Sequence, residues 1–432
     1  MCPSNRFHRW LRNIWRILRF LVILTGMLFL LGGSVLPPGG LSSWVHALTR
    51  PIEFDYGTWT LDVVFAKAAS WGLNLQRFLP ADQQTEIVLA YLQEVQAVRS
   101  LNAEITLIYT DPEVEDPEAA SRDSQEELEK AESRLAELAP LAESVLQAQL
   151  MDVLEDAGLS GLGQALPPSL FQFSDVPQSL ILSPRDEIRT ELDISLEDGL
   201  SVDEMEGLEY EIFNEFDYSA LVVDIGGIGT YPTMVMQTTD IVWLTEVIAH
   251  EWTHNFLTLR PLGVNYYTSS DLRTINETTA SLAGKEIGLM ILQKYYPDFV
   301  PEEVDTAAVE ENEIESDSIL DANIFNFRVE MRITRVEVDR LLANGEVEAA
   351  EAYMEARRQI FWENGYAIRK LNQAYFAFHG AYSDDPDGGA AGEDPVGPAV
   401  QAYRARFDSL ADFLNRISWV DSYDDLLELL EE

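Results

Sequence analysis

Hydrophobic positions along the chain change texture three times. Residues 20–36, FLVILTGMLFLLGGSVL, form a run of 17 residues without a charge, at the short end for spanning a hydrocarbon core. Residues 56–79 have a helical pattern rich in aromatics, and residues 82–109 and 118–155 read as a helical hairpin with charges alternating along its solvated face. Between 156 and 240, Gly and Pro punctuate short strand-like runs at 179–183, 218–225 and 231–238, with an acidic helix, VDEMEGLEYEIFNEF, before the second. Gly226, Gly227 and Gly229 are expected to turn the last two runs into a hairpin. Helical periodicity then returns. Asp240 opens a strongly apolar helix over 241–259, and Ser270 or Asp271 opens a second that stops at Pro297. An acidic linker (301–317), helices at 319–343 and 346–382 joined at Asn344-Gly345, a Gly- and Asp-rich loop (383–398) and a final helical region complete the chain.

This pattern predicts a helix-dominated α+β fold with a small, mostly antiparallel sheet packed on an active-site helix, additional helical hairpins and an N-terminal transmembrane helix. The expected divisions are a basic cytoplasmic arm (1–19), a signal-anchor (20–36), a juxtamembrane linker with the hairpin (37–155), a catalytic core (156–300) and a helical C-terminal region completing the cleft (301–432).

Charge refines the picture. The 432 residues carry a formal net charge of −45, which excludes a nucleic-acid binder, while 47% hydrophobic residues exclude a disordered acidic tail. No acidic residue precedes Glu53, so the first 52 residues carry +6 and the remainder −51. Five arginines before the apolar run place the N-terminus inside and the rest of the chain outside the membrane. The small-residue site at Val45-His46-Ala47 lies well beyond the run, which favours an uncleaved anchor over a removed signal peptide. Repulsion from anionic headgroups leaves that anchor, rather than surface adsorption, as the membrane attachment.

Chemistry concentrates in one place. Of five histidines, two stand in His250-Glu251-Trp252-Thr253-His254. Four residues advance a helix by about 400°, which puts both imidazoles on one face. There they can hold one Zn2+ while Glu251 reaches an activated water. The single cysteine, Cys2, rules out a thiolate cage. A third ligand must come from the next helix, where Glu277 and Glu286 point in opposite directions. Ser281, Gly284 and Gly288 share a face with Glu277 and allow close helix approach, which selects Glu277. Glu286 is expected to pair with Lys285 or Lys294.

HExxH on one helix and a glutamate in an NE-x-x-A stretch on the next resembles the gluzincin metallopeptidases, the thermolysin-like and aminopeptidase-like clans, over residues 218–294. No metzincin-type third histidine follows, and no GAMEN exopeptidase motif precedes. The resemblance implies His250, His254 and Glu277 as zinc ligands and Glu251 as the base in hydrolysis of a peptide or protein substrate through a zinc-activated water. A downstream His379, or Tyr375, Tyr382, Tyr266 or Tyr267, is the expected oxyanion donor. Residues 231–237 are the expected substrate-pairing edge strand and 383–398 a lid. Competing readings are a catalytically silent scaffold, disfavoured by the presence of Glu251, and a zinc hydrolase of non-peptide substrates.

Overall fold

The computed structural model describes Arg19 and residues 40–71, 79–111, 114–161, 164–301, 325–381 and 389–431. The expected membrane anchor at 20–36 and most of the acidic linker lie outside the described residues. Among those described, no helix is long and apolar enough to cross a membrane. Two compact units emerge, Met1–Ile52 and Glu53–Glu432. In the first, helix α1 (Leu41–Thr49) runs into a 3-10 turn at Arg50–Ile52, where Pro51 has no amide hydrogen to continue the α-helical ladder.

The second unit begins with α2 (Tyr56–Trp71), the rest of whose expected span, 72–78, lies outside the described residues, followed by the long hairpin of α3 (Ala81–Thr110) and α4 (Arg122–Asp156). Val88, Leu92 and Val95 repeat at helical spacing and join Val145, Leu146 and Leu150 in the core. One end of the hairpin grips a sheet. Glu143, buried on α4, forms an ion pair with Lys67 and accepts a 2.8 Å bond from the amide of Phe173, while Gln147 Nε2 donates to Phe171 O at 2.9 Å.

Besides a two-stranded ribbon of Ser160–Gly161 with Gln164–Ala165, the described strands build two three-stranded sheets. In one, β2 (Gln178–Pro184) lies between β3 (Leu192–Leu196) and β4 (Tyr218–Val223), all antiparallel, with Leu180 opposite both Ile194 and Val222. Helix α5 (Val202–Phe216), opened by a Ser201/Glu204 capping box, precedes β4. In the other sheet, β6 (Thr233–Val235) is central, parallel to β1 (Phe171–Phe173) and antiparallel to β5 (Gly227–Ile228). The expected hairpin between 218–225 and 231–238 is therefore wrong: those runs belong to different sheets. Residues 219–222 are buried throughout and pair with β2, and β6 pairs with the glycine segment itself.

Two long helices follow. Helix α6 (Ile241–Leu257) is capped by Asp240, which accepts from the amides of Val242 and Trp243 at 2.8 and 3.2 Å. Helix α7 (Ser270–Tyr295) is capped by Ser269 rather than by Ser270 or Asp271. Their separation is set by missing side chains. A Cβ on Gly284 would stand 3.0 Å from both Glu246 O and His250 Cβ, and one on Gly288 would stand 2.9 Å from Glu246 N. One core runs from Val88 through Ile248, Trp252, Ile275 and Ile287 to Leu426.

The C-terminal region contains α8 (Phe327–Ala343), α9 (Val347–Glu363), α10 (Gln373–His379), α11 (Val396–Arg404), α12 (Leu410–Ile417) and α13 (Tyr423–Glu431). The single helix expected over 346–382 is thus two. Gly365, at φ 90°, ends the first, and Asn372 caps the second by accepting from Tyr375 N at 2.9 Å. Asn372 also donates to Ala220 O at 2.9 Å, fastening the second helix to β4.

The tight helix contact yields a contrast. Gly288→Ala is expected to destabilise by about 1–3 kcal/mol through overpacking. Gly207→Ala, within α5 where no atom lies within 4 Å of the added methyl, is expected to stabilise by about 0.5–1 kcal/mol. Urea midpoints read both.

Candidate metal centre

The first two expected ligands meet as helical spacing requires, with His250 Nε2 and His254 Nε2 3.0 Å apart. Close packing of α6 and α7 adds Glu277, whose Oε2 stands 3.5 Å from the first nitrogen and 3.4 Å from the second. Ligands ~2.0–2.1 Å from a tetrahedral zinc are about 3.3 Å from one another, so this triangle has the required size. Its chemistry fits too. Glu277 Oε2 is buried and makes no hydrogen bond, and two imidazole nitrogens at this separation repel unless a cation or proton lies between them. The three residues are a group able to hold a metal ion.

Neighbouring residues aim these ligands. Asn276 donates through Nδ2 to Leu262 O at 3.1 Å, which turns its Oδ1 toward His254 Nδ1 at 2.8 Å. That oxygen only accepts, so His254 keeps a proton on Nδ1, and it is Nε2 whose lone pair a metal would take once the second proton is displaced. His250 Nδ1 lies 3.5 Å from Ser281 Oγ. The Tyr266 hydroxyl donates to Glu277 Oε1, leaving Oε2 as the free oxygen.

The general-base candidate is enclosed. Glu251 is 6% exposed, and a Cβ on Gly227 would come within 2.8 Å of its Oε1. A Cβ on Gly229 would approach Glu251 Oε2 to 3.3 Å and His254 Cβ to 2.8 Å. The glycines expected to make a turn therefore also form the wall of the site. Burial pushes the Glu251 carboxyl above its ordinary value against the pull of His250 and His254, and Glu277 reinforces the rise. Burial opposes the charged form of His254, but Glu277 overrides it and raises the imidazole to about 9. Burial likewise favours neutral Glu277, yet the two histidines hold it well below the usual carboxylate range. Without metal the cluster is thus an ion pair, and a cation must displace its proton.

The remaining expected residues make contacts of their own. Glu286 pairs bidentately with Arg404 at 2.7 Å, while Lys294 pairs with Asp152 and Asp156. His379 ends α10, with its ring 4.2 Å from Tyr375 and 5.0 Å from Phe378. Burial lowers its pKa to about 4. Tyr382 and the first part of the expected lid fall outside the described residues. The expected substrate strand is overturned: β6 is the central strand of its sheet and fully buried, so it has no edge to offer, whereas β5 lies at the edge. The signal for the site wall was present as three closely spaced glycines before the metal helix. That for Asn276 was its position immediately before the ligand.

Comparison with known proteins matches the chain to no family, no curated protein and no solved structure.

Two outcomes follow from this geometry. Because the added methyl meets His254 Cβ, Gly229→Ala is expected to weaken zinc binding about 10- to 100-fold, as loss of ligand orientation does, read by competition with a chromophoric chelator. His379 has a depressed folded-state pKa, so only the unfolded chain takes up its proton between pH 6.5 and about 4. Stability is therefore lost as pH falls through that window. Wild type should lose about 3 kcal/mol more than His379→Phe across it, measured by urea unfolding at pH 7.5 and pH 4.

Proposed function

We propose that this chain is a zinc-dependent peptide hydrolase, held at the membrane by its N-terminal apolar run with the acidic body outside the cell. The observation that carries the reading is a buried Glu251 beside the group His250, His254 and Glu277. A purely structural metal site has no use for an additional enclosed carboxylate.

His250, His254 and Glu277 would hold the ion, and the Tyr266 bond to Oε1 would leave Glu277 one oxygen to give. Three protein ligands leave a position open, as a catalytic site requires. A bound zinc supplies Lewis acidity toward a carbonyl and lowers the pKa of a coordinated water toward neutrality. Glu251, whose carboxyl burial pushes above its ordinary value, would take a proton from that water and return it to the leaving amine. Its wall of Gly227 and Gly229 excludes bulk water and brings main chain close to the carboxylate. Since β5 is an edge strand, an extended peptide that adds to it runs past Glu251, with affinity from main-chain hydrogen bonds. Because the one hydroxyl proton of Tyr266 is already given to Glu277 Oε1, His379, kept neutral by burial and so retaining an N–H, would serve the developing oxyanion.

Metal content and turnover test this together. Purified full-length protein is expected to hold one zinc and to cleave members of a peptide library. Glu251→Gln is expected to keep the zinc and lose about 10²- to 10⁴-fold in rate. Zinc without turnover in wild type would convert the reading to a silent scaffold, and absence of stoichiometric metal would remove it.

A further inference from the structure

Behind the metal ligands lies a charge that the hydrolytic reading does not use. Arg273 is 5% exposed and sits on α7 four residues before Glu277, hence on the same face one turn earlier. A buried guanidinium is costly unless paired. Its partner comes from the other sheet: Asp193 on β3 accepts from Arg273 Nη2 at 3.1 Å. Asp193 is itself clamped, because Ser179 on the adjoining strand β2 donates to its other carboxylate oxygen. The guanidinium carbon of Arg273 lies 5.8 Å from the centroid of the Tyr266 ring, within reach of a cation–π contact. The hydroxyl of that ring is the donor to Glu277 Oε1.

From this chain of contacts we infer that Asp193 and Arg273 are positioning residues for the metal ligand Glu277, acting through Tyr266. The inference rests on the metal-centre reading above. Asp193 fixes the guanidinium, and the guanidinium holds the phenol ring by its face. The ring then holds one carboxylate oxygen away from the metal position. Glu277 is thereby kept a one-oxygen ligand, and the coordination position that a second oxygen would fill stays open. Tyr266 lies in the loop between α6 and α7, where its ring also meets Tyr267 at 4.7 Å and His254 at 6.3 Å, and the guanidinium adds a contact anchored in β3. A purely architectural role, tying β3 to α7, would stabilise the fold equally with and without metal. The positioning role makes a different demand: the effect of Asp193 on metal must pass through the Tyr266 hydroxyl.

A double-mutant cycle on the full-length protein, loaded with Co2+ alone, reads this directly. Tyr266→Phe is expected to lower Co2+ affinity about 10-fold or more. It should also shift the visible spectrum toward the weaker absorption of a five-coordinate ion, as Glu277 swings to give both oxygens. Asp193→Asn is expected to move affinity and spectrum in the same direction. In the Tyr266→Phe background, however, it should change affinity by no more than about twofold. Ser179→Ala, which only loosens Asp193, provides the same comparison where Asp193→Asn compromises folding. An Asp193 or Ser179 effect of equal size in both backgrounds overturns the inference, as does a loss of thermal stability with affinity and spectrum unchanged. Failure of wild type to bind Co2+ or Zn2+ removes the metal centre itself. Wild-type binding with additive variants removes only the positioning role.

Discussion

The centre depends on how closely two helices approach. His250 and His254 are neighbours by virtue of the α-helix alone, but a two-histidine site needs a third ligand, and that ligand lies on another helix. Gly284 and Gly288 let the backbone of α7 settle against Glu246 and His250 of α6, where a methyl group at either position would meet atoms at 3.0 Å or less. Only at that separation does Glu277 Oε2 come within 3.5 Å of both imidazoles. The enclosing core supports the contact from both ends, with Ile248 and Trp252 on one helix and Ile275 and Ile287 on the other.

Burying four ionisable side chains together has an electrostatic logic. Separately, each would resist its charged form in this environment. Together, Glu277 charges His254 and is held charged by it, while at Glu251 burial favours the protonated carboxyl against the pull of both histidines. The site therefore sets the two glutamates apart through what each faces, and under the proposed function one would be the ligand and the other the base. Gly227 of β5 and Gly229 just beyond it enclose Glu251 with main chain rather than with a polar side chain.

Much of this was legible in the residues. Long helices announce themselves by period, so the α3–α4 hairpin and the two metal helices are visible in the sequence, as is the small-residue face that selects Glu277. Strand partners are harder to read. Segments such as 219–222 and 233–235, buried along their whole length, carry no alternation to indicate a neighbour. Their assignment to different sheets follows from long-range packing of β1 against β6 and of β2 against β4. The break at 364–372 begins at Asn364-Gly365, a stop of the same kind as Asn344-Gly345, yet is easily passed over because apolar residues continue on both sides of it. Asn276 and Tyr266 act by direction rather than by type, and direction is a property of the folded chain.

Asn276 and Glu277 are consecutive in the chain, and both serve the same imidazole, one from behind and one from in front. A helix fixes the angle between adjacent side chains, so neither can move without the other. Any slide or rotation of α7 that removes the carboxylate also releases the tautomer of His254. The centre thus has no half-assembled form in which two good ligands await a third. Selection acting on either residue acts on both, and an insertion of a single residue between them would abolish the pair at one stroke.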